Sequence, residues 1–391
     1  MSIRKRTWTN AKGETREVWV VNYRDKARGG ARVQRTFRFK RDADSFIVDA
    51  KVEIRDGVHI ARSKSVTVVQ AGGEWIKTTE ANGLERASVM DYRRILRMHI
   101  EPFIGTTKLS DLSVPMVRAF EDKLRENGRS TAMVKRIRSM LSMLLTDAME
   151  RGLATRNVAR GLISNRTRGK ERQAERRARG KLKVGVDIPA PDEIRAIVGH
   201  LAERWRPLLL VAIFCGLRAS ELRGLIWANV DLERRELHVR QRADRFNKIG
   251  QPKSESGERT VPLLPLVVNA LREWKLACPR GELGLVFPNP KGNVEILDNI
   301  VRAGLKPVQV AAGVTVDGEA KYTGMHALRH FYASWCINRK ADGGLELPAK
   351  VVQERLGHSK IAMTLDIYGH LFPRNDDHDE MAAAERAFLG G

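Results

Sequence analysis

Between residues 165 and 183 the chain carries nine Lys and Arg, two acidic residues and almost no apolar side chain, beginning Asn165-Arg166-Thr167-Arg168-Gly169-Lys170. A stretch of this kind buries too little surface to offset the entropy of ordering it, so no core runs through it and it reads as a flexible basic linker. The residues on either side must therefore find separate cores. For a chain of 391 residues this agrees with a usual domain size of about 100 to 150 residues, and predicts two or three domains. A hydrophobic content of 42% is enough to fill them.

The hydrophobic period changes along the chain. Val18-Trp19-Val20-Val21-Asn22-Tyr23 and Val33-Gln34-Arg35-Thr36-Phe37-Arg38-Phe39-Lys40 read as β-strands joined by a turn at Gly29-Gly30, with a helix over Asp42 to Asp56. From about residue 66 to 160 the period is helical. Val89, Tyr92, Ile95, Leu96 and Ile100 form one stripe, and Met133, Val134, Ile137, Met140, Leu141 and Leu144 another, with Ser113 and Ser130 as N-caps. After Asp187-Ile188-Pro189 the pattern is mixed, with helices around 191–203 and 207–226, strands around 235–242 and 258–263, and mostly helices beyond. The expected fold class is α+β, mainly α. Its expected parts are a small sheet domain over 1–60, an all-helical domain over 66–160, the linker over 161–187, an α-rich domain with a small antiparallel sheet over 188–374, and a tail helix over 375–391.

The formal net charge of +23 makes a polyanion the natural partner. The surplus is concentrated: residues 1–60 and 165–183 each carry a net +7. A basic sheet face is suited to a DNA groove, so Arg35, Arg38 and Lys40, with Arg166, Arg168 and Lys170 of the linker, are the candidate DNA contacts. Membrane readings fare worse. The longest apolar run, Pro207 to Leu217, is 11 residues where a span needs about 20, and the charged start Met1-Ser2-Ile3-Arg4-Lys5-Arg6 has no apolar stretch behind it. Cys215, Cys278 and Cys336 form no Cys-x-x-Cys pair and read as reduced core residues of a cytoplasmic protein.

Four local patterns carry chemistry. In Phe214-Cys215-Gly216-Leu217-Arg218-Ala219-Ser220-Glu221-Leu222 an apolar helix stops at Gly216 and a new one starts at Arg218, three residues before Glu221. That pair reads either as a fixed fork for phosphate oxygens or as a structural salt bridge. His326 and Arg329 share a face at i and i+3; the same spacing at His59 and Arg62 has no supporting context. Leu356-Gly357-His358-Ser359 places a histidine at a corner, with Gly357 ending one helix, Ser359 capping the next and Tyr368 near the end of that second helix. Lys253 lies beside the turn of a hairpin expected between Leu237-His238-Val239 and Thr260-Val261-Pro262.

The order Gly-Leu-Arg-x-x-Glu-Leu, hairpin Lys, His-x-x-Arg, Leu-Gly-His and Tyr, all within the last 200 residues, resembles the tyrosine recombinase (phage integrase) family. The upstream parts resemble the arm-binding and core-binding domains of its phage-type members. The resemblance implies a site-specific DNA recombinase that joins or excises a mobile element through a 3′-phosphotyrosyl link. Arg218, Lys253, His326, Arg329 and His358 would surround the scissile phosphate, with Tyr368 as nucleophile and Glu221 in support. The chemistry is coherent. A phenol with pKa near 10 needs a base and a neutralised phosphate; two arginines would hold the non-bridging oxygens, His326 would move the tyrosine's proton, His358 would donate to the phosphate and Lys253 would protonate the leaving 5′ oxygen. The exchanged ester conserves bond energy, so no ATP, metal or other cofactor is expected.

Double-stranded attachment-site DNA, a homotetramer in the synaptic complex, a host DNA-bending protein and an excision or directionality factor are the partners the resemblance implies, in the bacterial cytoplasm at the nucleoid. The alternatives are a Xer-type chromosome dimer resolvase, which normally lacks the basic first segment, and a DNA-binding protein without catalysis, which has no reason to keep the full set of reactive side chains. A type IB topoisomerase shares the chemistry without needing an arm-binding module. The tail pairs a capping box at Asp377-His378-Asp379-Glu380 with an apolar stripe of Met381, Ala384, Phe388 and Leu389, too short to stand alone and expected to dock on a neighbouring protomer or on its own domain.

Overall fold

The computed structural model describes residues 2–9, 15–25, 31–55, 65–160, 181–372 and 378–390, and its chain divides into two compact units, Met1–Gly169 and Lys170–Gly391. The expected Gly29-Gly30 turn, Arg166, Arg168, Lys170 and the Asp377 cap lie outside the described residues. Among the described residues no helix is long and apolar enough to cross a membrane.

The first unit opens with a three-stranded antiparallel sheet, β1 (Ser2–Thr9), β2 (Thr15–Asp25) and β3 (Ala31–Phe37), with β2 central. Trp19, Val21 and Tyr23 alternate onto the face that packs on α1 (Lys40–Arg55) through Ala43, Phe46 and Ile47. The expectation of Arg and Lys sharing one face fails at Arg35. It lies on the helix side beside Phe37, stacked over the Phe46 ring at 4.7 Å and paired with Asp111 at 3.0 Å. Arg38 stacks at 5.4 Å on Phe39 and Lys40 at 5.6 Å on Trp19. The opposite face is basic in a different way. The register sets exposed Arg4 beside Val20, exposed Arg6 beside Val18, and Asn22 between Ser2 and Gln34. Asn22 is 5% exposed, and among the described residues neither its Oδ1 nor its Nδ2 has a hydrogen-bond partner.

Helices α2 (Val68–Ala81), α3 (Arg86–Ile95), α4 (Val114–Glu126) and α5 (Thr131–Glu150) follow. Thr67 and Gln70 form a reciprocal capping box on α2, and Ser130 Oγ accepts from Met133 N at 3.3 Å. Ser113 precedes α4 as expected but makes no side-chain cap bond there. Both apolar stripes are buried where expected: Val89, Ile95, Leu96 and Ile100 meet Val134, Ile137, Met140, Leu141 and Leu144 in one core. The α3 stripe runs on through a π-turn, Leu96–Ile100.

The second unit is built around α7 (Trp205–Cys215), which follows α6 (Pro191–Gly199) and is buried from Pro207 through Ile213. After α8 (Ala219–Gly224) come β4 (Val230–Asp231), β5 (Glu236–Val239), β6 (Arg242–Ala243), β7 (Ile249–Gly250) and β8 (Arg259–Pro262). β5 pairs β8 with Leu237 opposite Val261, as expected, but the intervening residues form a second hairpin, β6–β7. Lys253 follows that hairpin instead of sitting at a single turn. Helices α9 (Pro265–Ala277), α10 (Lys306–Ala311), α11 (His326–Ile337), α12 (Ala349–Leu356) and α13 (Ile361–Tyr368) complete the core, and α14 (His378–Leu389) is the tail.

Candidate active site

Two left-handed glycines shape the site. α7 ends at Gly216 with φ of 61°, and a Cβ there would stand 2.2 Å from Tyr332 Cδ1, so glycine is required for backbone and space alike. The turn releases Arg218 at the entry of α8. Glu221 Oε2 accepts the Arg218 backbone N–H at 2.8 Å, and its Oε1 accepts Arg218 Nη1 at 2.7 Å. Gly357, with φ of 62°, ends α12 in the same way, and its carbonyl accepts Arg218 Nη2 at 3.0 Å.

Glu221 holds a second guanidinium. Arg259, on β8, donates through Nη2 to Glu221 Oε2 at 2.8 Å and through Nε to the Arg355 carbonyl at 2.7 Å. Burial alone would raise the Glu221 pKa, but Arg259 and Arg218 outweigh it and bring the carboxyl to about 2. Arg329 has no carboxylate partner among the described residues. Only 2% exposed, it donates Nη1 to the Gly216 carbonyl at 2.6 Å and Nη2 to the Leu356 carbonyl.

His326 opens α11 at the surface, its ring edge-to-face with His330 at 4.5 Å. His358 is 6% exposed, with Nδ1 2.9 Å from Thr364 Oγ1, and burial followed by Arg329 and Arg218 depresses its pKa to about 4. Tyr368 closes α13. It is 2% exposed, and burial pushes its phenol up to about 12 against the pull of Arg329. Its Oη lies 2.6 Å from His330 Nδ1.

The structure thus gathers Arg218, Glu221, His326, Arg329, His358 and Tyr368 around the ends of α7 and α12 and the start of α11. Lys253 is the exception: exposed, with no hydrogen bond or ion pair to that group among the described residues. Ser359 does not cap α13, which starts after Lys360 without a side-chain cap. Arg259 and His330 escaped the sequence reading. A signal existed for each, since Arg259 alternates with buried Val261 onto the inner side of its strand, and His330 lies one turn beyond His326.

The sequence pattern of the phage integrase family matches residues 190–374. Over 354 residues the chain is 26% identical to a tyrosine recombinase XerC-like protein of Caldanaerobacter subterraneus subsp. tengcongensis, covering 82% of this chain and 83% of that one. It is 22% identical over 287 residues to the ICEBs1 integrase of Bacillus subtilis, covering 71% and 72%. In fold it is similar to the Tn1549 transposon integrase bound to circular intermediate DNA, with a TM-score of 0.60 at 19% identity over 83% of this chain and all of that one. It is also similar to a lambda integrase dimer bound to a core site, at 0.57 and 18% over 95% and 97%. Residues 190–374 thus carry the pattern of the phage integrase family, and over most of its length the chain is similar to tyrosine recombinases.

Proposed function

We propose that this recombinase is the integrase of a mobile DNA element, with Tyr368 attacking the scissile phosphate to form a 3′-phosphotyrosyl link. Arg218 and Arg329 hold the non-bridging oxygens, His358 donates to the phosphate, Lys253 protonates the leaving 5′ oxygen, and Glu221 orients Arg218 from below. The observation that carries the reading is the meeting of two guanidiniums, two imidazoles and one buried phenol from α8, α11, α12 and α13. Arg329 in particular is held by carbonyl dipoles and keeps its full charge for an anion. Lys253 would have to swing in with DNA, for which its exposed loop leaves room. The relatives named for ICEBs1 and Tn1549 fit an element's integrase and those named XerC fit a Xer-type resolvase as well; the basic first segment, which such a resolvase normally lacks, favours the former.

The test is a suicide substrate carrying a nick beside the cleavage position. The wild-type protein is expected to form a covalent adduct that survives a denaturing gel and to do so equally in EDTA, because the charge on the phosphate is met by arginine. An adduct that requires a divalent cation would overturn the mechanism.

The first unit would supply the DNA address. Its helical part reads the core site, while the sheet face opposite α1, with exposed Arg4 and Arg6, is suited to the phosphates of an arm-type site. Removing residues 1–60 is expected to abolish protection of a second class of site in a footprint and to leave core-site protection and adduct formation intact. If the truncated protein protects every segment that the full chain protects, the sheet has no such role. Assembly follows the lambda integrase tetramer on a Holliday junction, with a host DNA-bending protein and a directionality factor, in the cytoplasm at the nucleoid. The tail helix exposes Met381 (66%), Phe388 (89%) and Leu389 (70%), a face suited to the catalytic domain of a neighbouring protomer.

A further inference from the structure

The resemblance assigns proton movement at the nucleophile to His326, yet the imidazole in contact with the phenol is a different one. His330 follows His326 by one turn of α11, and its Nδ1 lies 2.6 Å from Tyr368 Oη at an interplanar angle of 62°. His326 packs edge-on against the His330 ring, and among the described residues it has no hydrogen bond to the tyrosine. The structure assigns to His330 the role of proton acceptor for Tyr368 in the cleavage step. This rests on Tyr368 being the nucleophile, as proposed above.

The charges around His330 explain how such a base works only on DNA. Burial, then His326 and Arg329 on its own helix, push its pKa down to about 4, with Asp187 from the segment before α6 as the one opposing charge. Tyr368 from α13 faces it as a neutral phenol, so at pH 7 the shared proton rests on oxygen and the O–H donates to Nδ1. In this state the hydroxyl is held in place but little activated. A phosphodiester bound at Arg329 brings a negative charge beside the guanidinium that now depresses the imidazole, and the basicity of His330 rises. Attack then balances as follows. The Oη–P bond forms while the phenol proton passes to His330 Nδ1, and the P–O5′ bond breaks while the leaving oxygen takes a proton from the acid assigned to Lys253. Religation runs the same transfers backwards.

Single-turnover adduct formation on a suicide substrate, measured against pH with the full chain, tests this. Wild-type rates should fall on the acid side as the imidazole is protonated. His330→Gln, which accepts a hydrogen bond but no proton, should lose that acid limb and slow by about 10²-fold or more, as general-base losses do. His330→Gly should be partly restored by added imidazole, a response that a merely structural role does not give. His326→Gln should keep the acid limb. The inference is overturned if His330→Gln retains the wild-type rate and limb, if the limb disappears in His326→Gln instead, or if His330→Gln is slow with the limb intact and imidazole restores nothing. Tyr368→Phe, run in parallel, separates the two readings: an adduct from that variant would remove the nucleophile assignment itself, whereas failure at His330 alone leaves it standing.

Discussion

Tyr368→Phe is expected to bind its DNA with nearly unchanged affinity and to form no covalent complex at all. The difference between the side chains is one oxygen, and that oxygen is the atom proposed to attack phosphorus. The ring, which supplies the packing, is retained, so the end of α13 stays in the core. Affinity rests on many cations spread along the chain, and their counterion release does not depend on a hydroxyl. The variant does lose the bond from Oη to His330 Nδ1. An unmatched imidazole costs about 1–3 kcal/mol of stability at most, visible as a lowered melting temperature without loss of fold. Gel shift and denaturing gel on the same samples check both halves. An adduct from the Phe variant would place the nucleophile elsewhere.

Glu221→Gln is expected to be the most destabilising single change in the catalytic portion. Glu221 is 2% exposed and meets Arg218 on one side and Arg259 on the other, the latter only 5% exposed. Neutralising it leaves a guanidinium buried without its counter-charge, which costs about 3–5 kcal/mol. The sign of the pH dependence follows from the depressed carboxyl. Its pKa falls from 4.5 to about 2 on folding, so its stabilisation is complete above pH 4.5 and disappears as pH falls towards 2. A shift of that size corresponds to about 3 kcal/mol at neutral pH. Urea unfolding of the wild type and the variant should therefore differ most at pH 7 and converge as the pH approaches 2. A gap independent of pH would show that shape, not charge, matters at this position.

Much of the catalytic portion was legible in the sequence because its signals are local. Gly216 and Gly357 each announce a helix end, and both adopt the left-handed turn expected of them. The stripes on α3 and α5 are long and regular enough that tertiary packing had only to accept them. What escaped depends on partners distant in sequence. Strand β1 contains Arg4-Lys5-Arg6 and no apolar alternation, and its pairing with β2 is a matter of backbone hydrogen bonds, to which composition is blind. Arg35 was placed by charge on a DNA-facing surface, whereas the pleat of β3 sets it opposite Val21 on the helix side, where it meets Asp111, 76 residues away. Arg259 reads as an ordinary strand cation until Glu221 is seen beside it. His330 reads as part of an apolar helix until α13 brings Tyr368 across from 38 residues away.

Arg329 is anchored by the carbonyls of Gly216 and Leu356, and Arg218 takes a third from Gly357, all at the C-terminal ends of helices. Helix ends offer partial negative charge, about half a unit each, where a carboxylate would offer a whole one. A carboxylate at Arg329 would satisfy the cation and then compete with every phosphate that approached. Dipoles hold the cation in position and leave it under-neutralised. Folding the free protein therefore works against a repulsion among Arg218, Arg259 and Arg329 that a bound phosphodiester relieves. By linkage, a ligand that binds the folded state and relieves it raises the unfolding free energy by RT ln(1 + L/Kd), with L its free concentration. The enzyme is thus at its least stable when searching and at its most stable when seated on a crossover site, and tolerance to heat and affinity for DNA become two measures of one electrostatic balance.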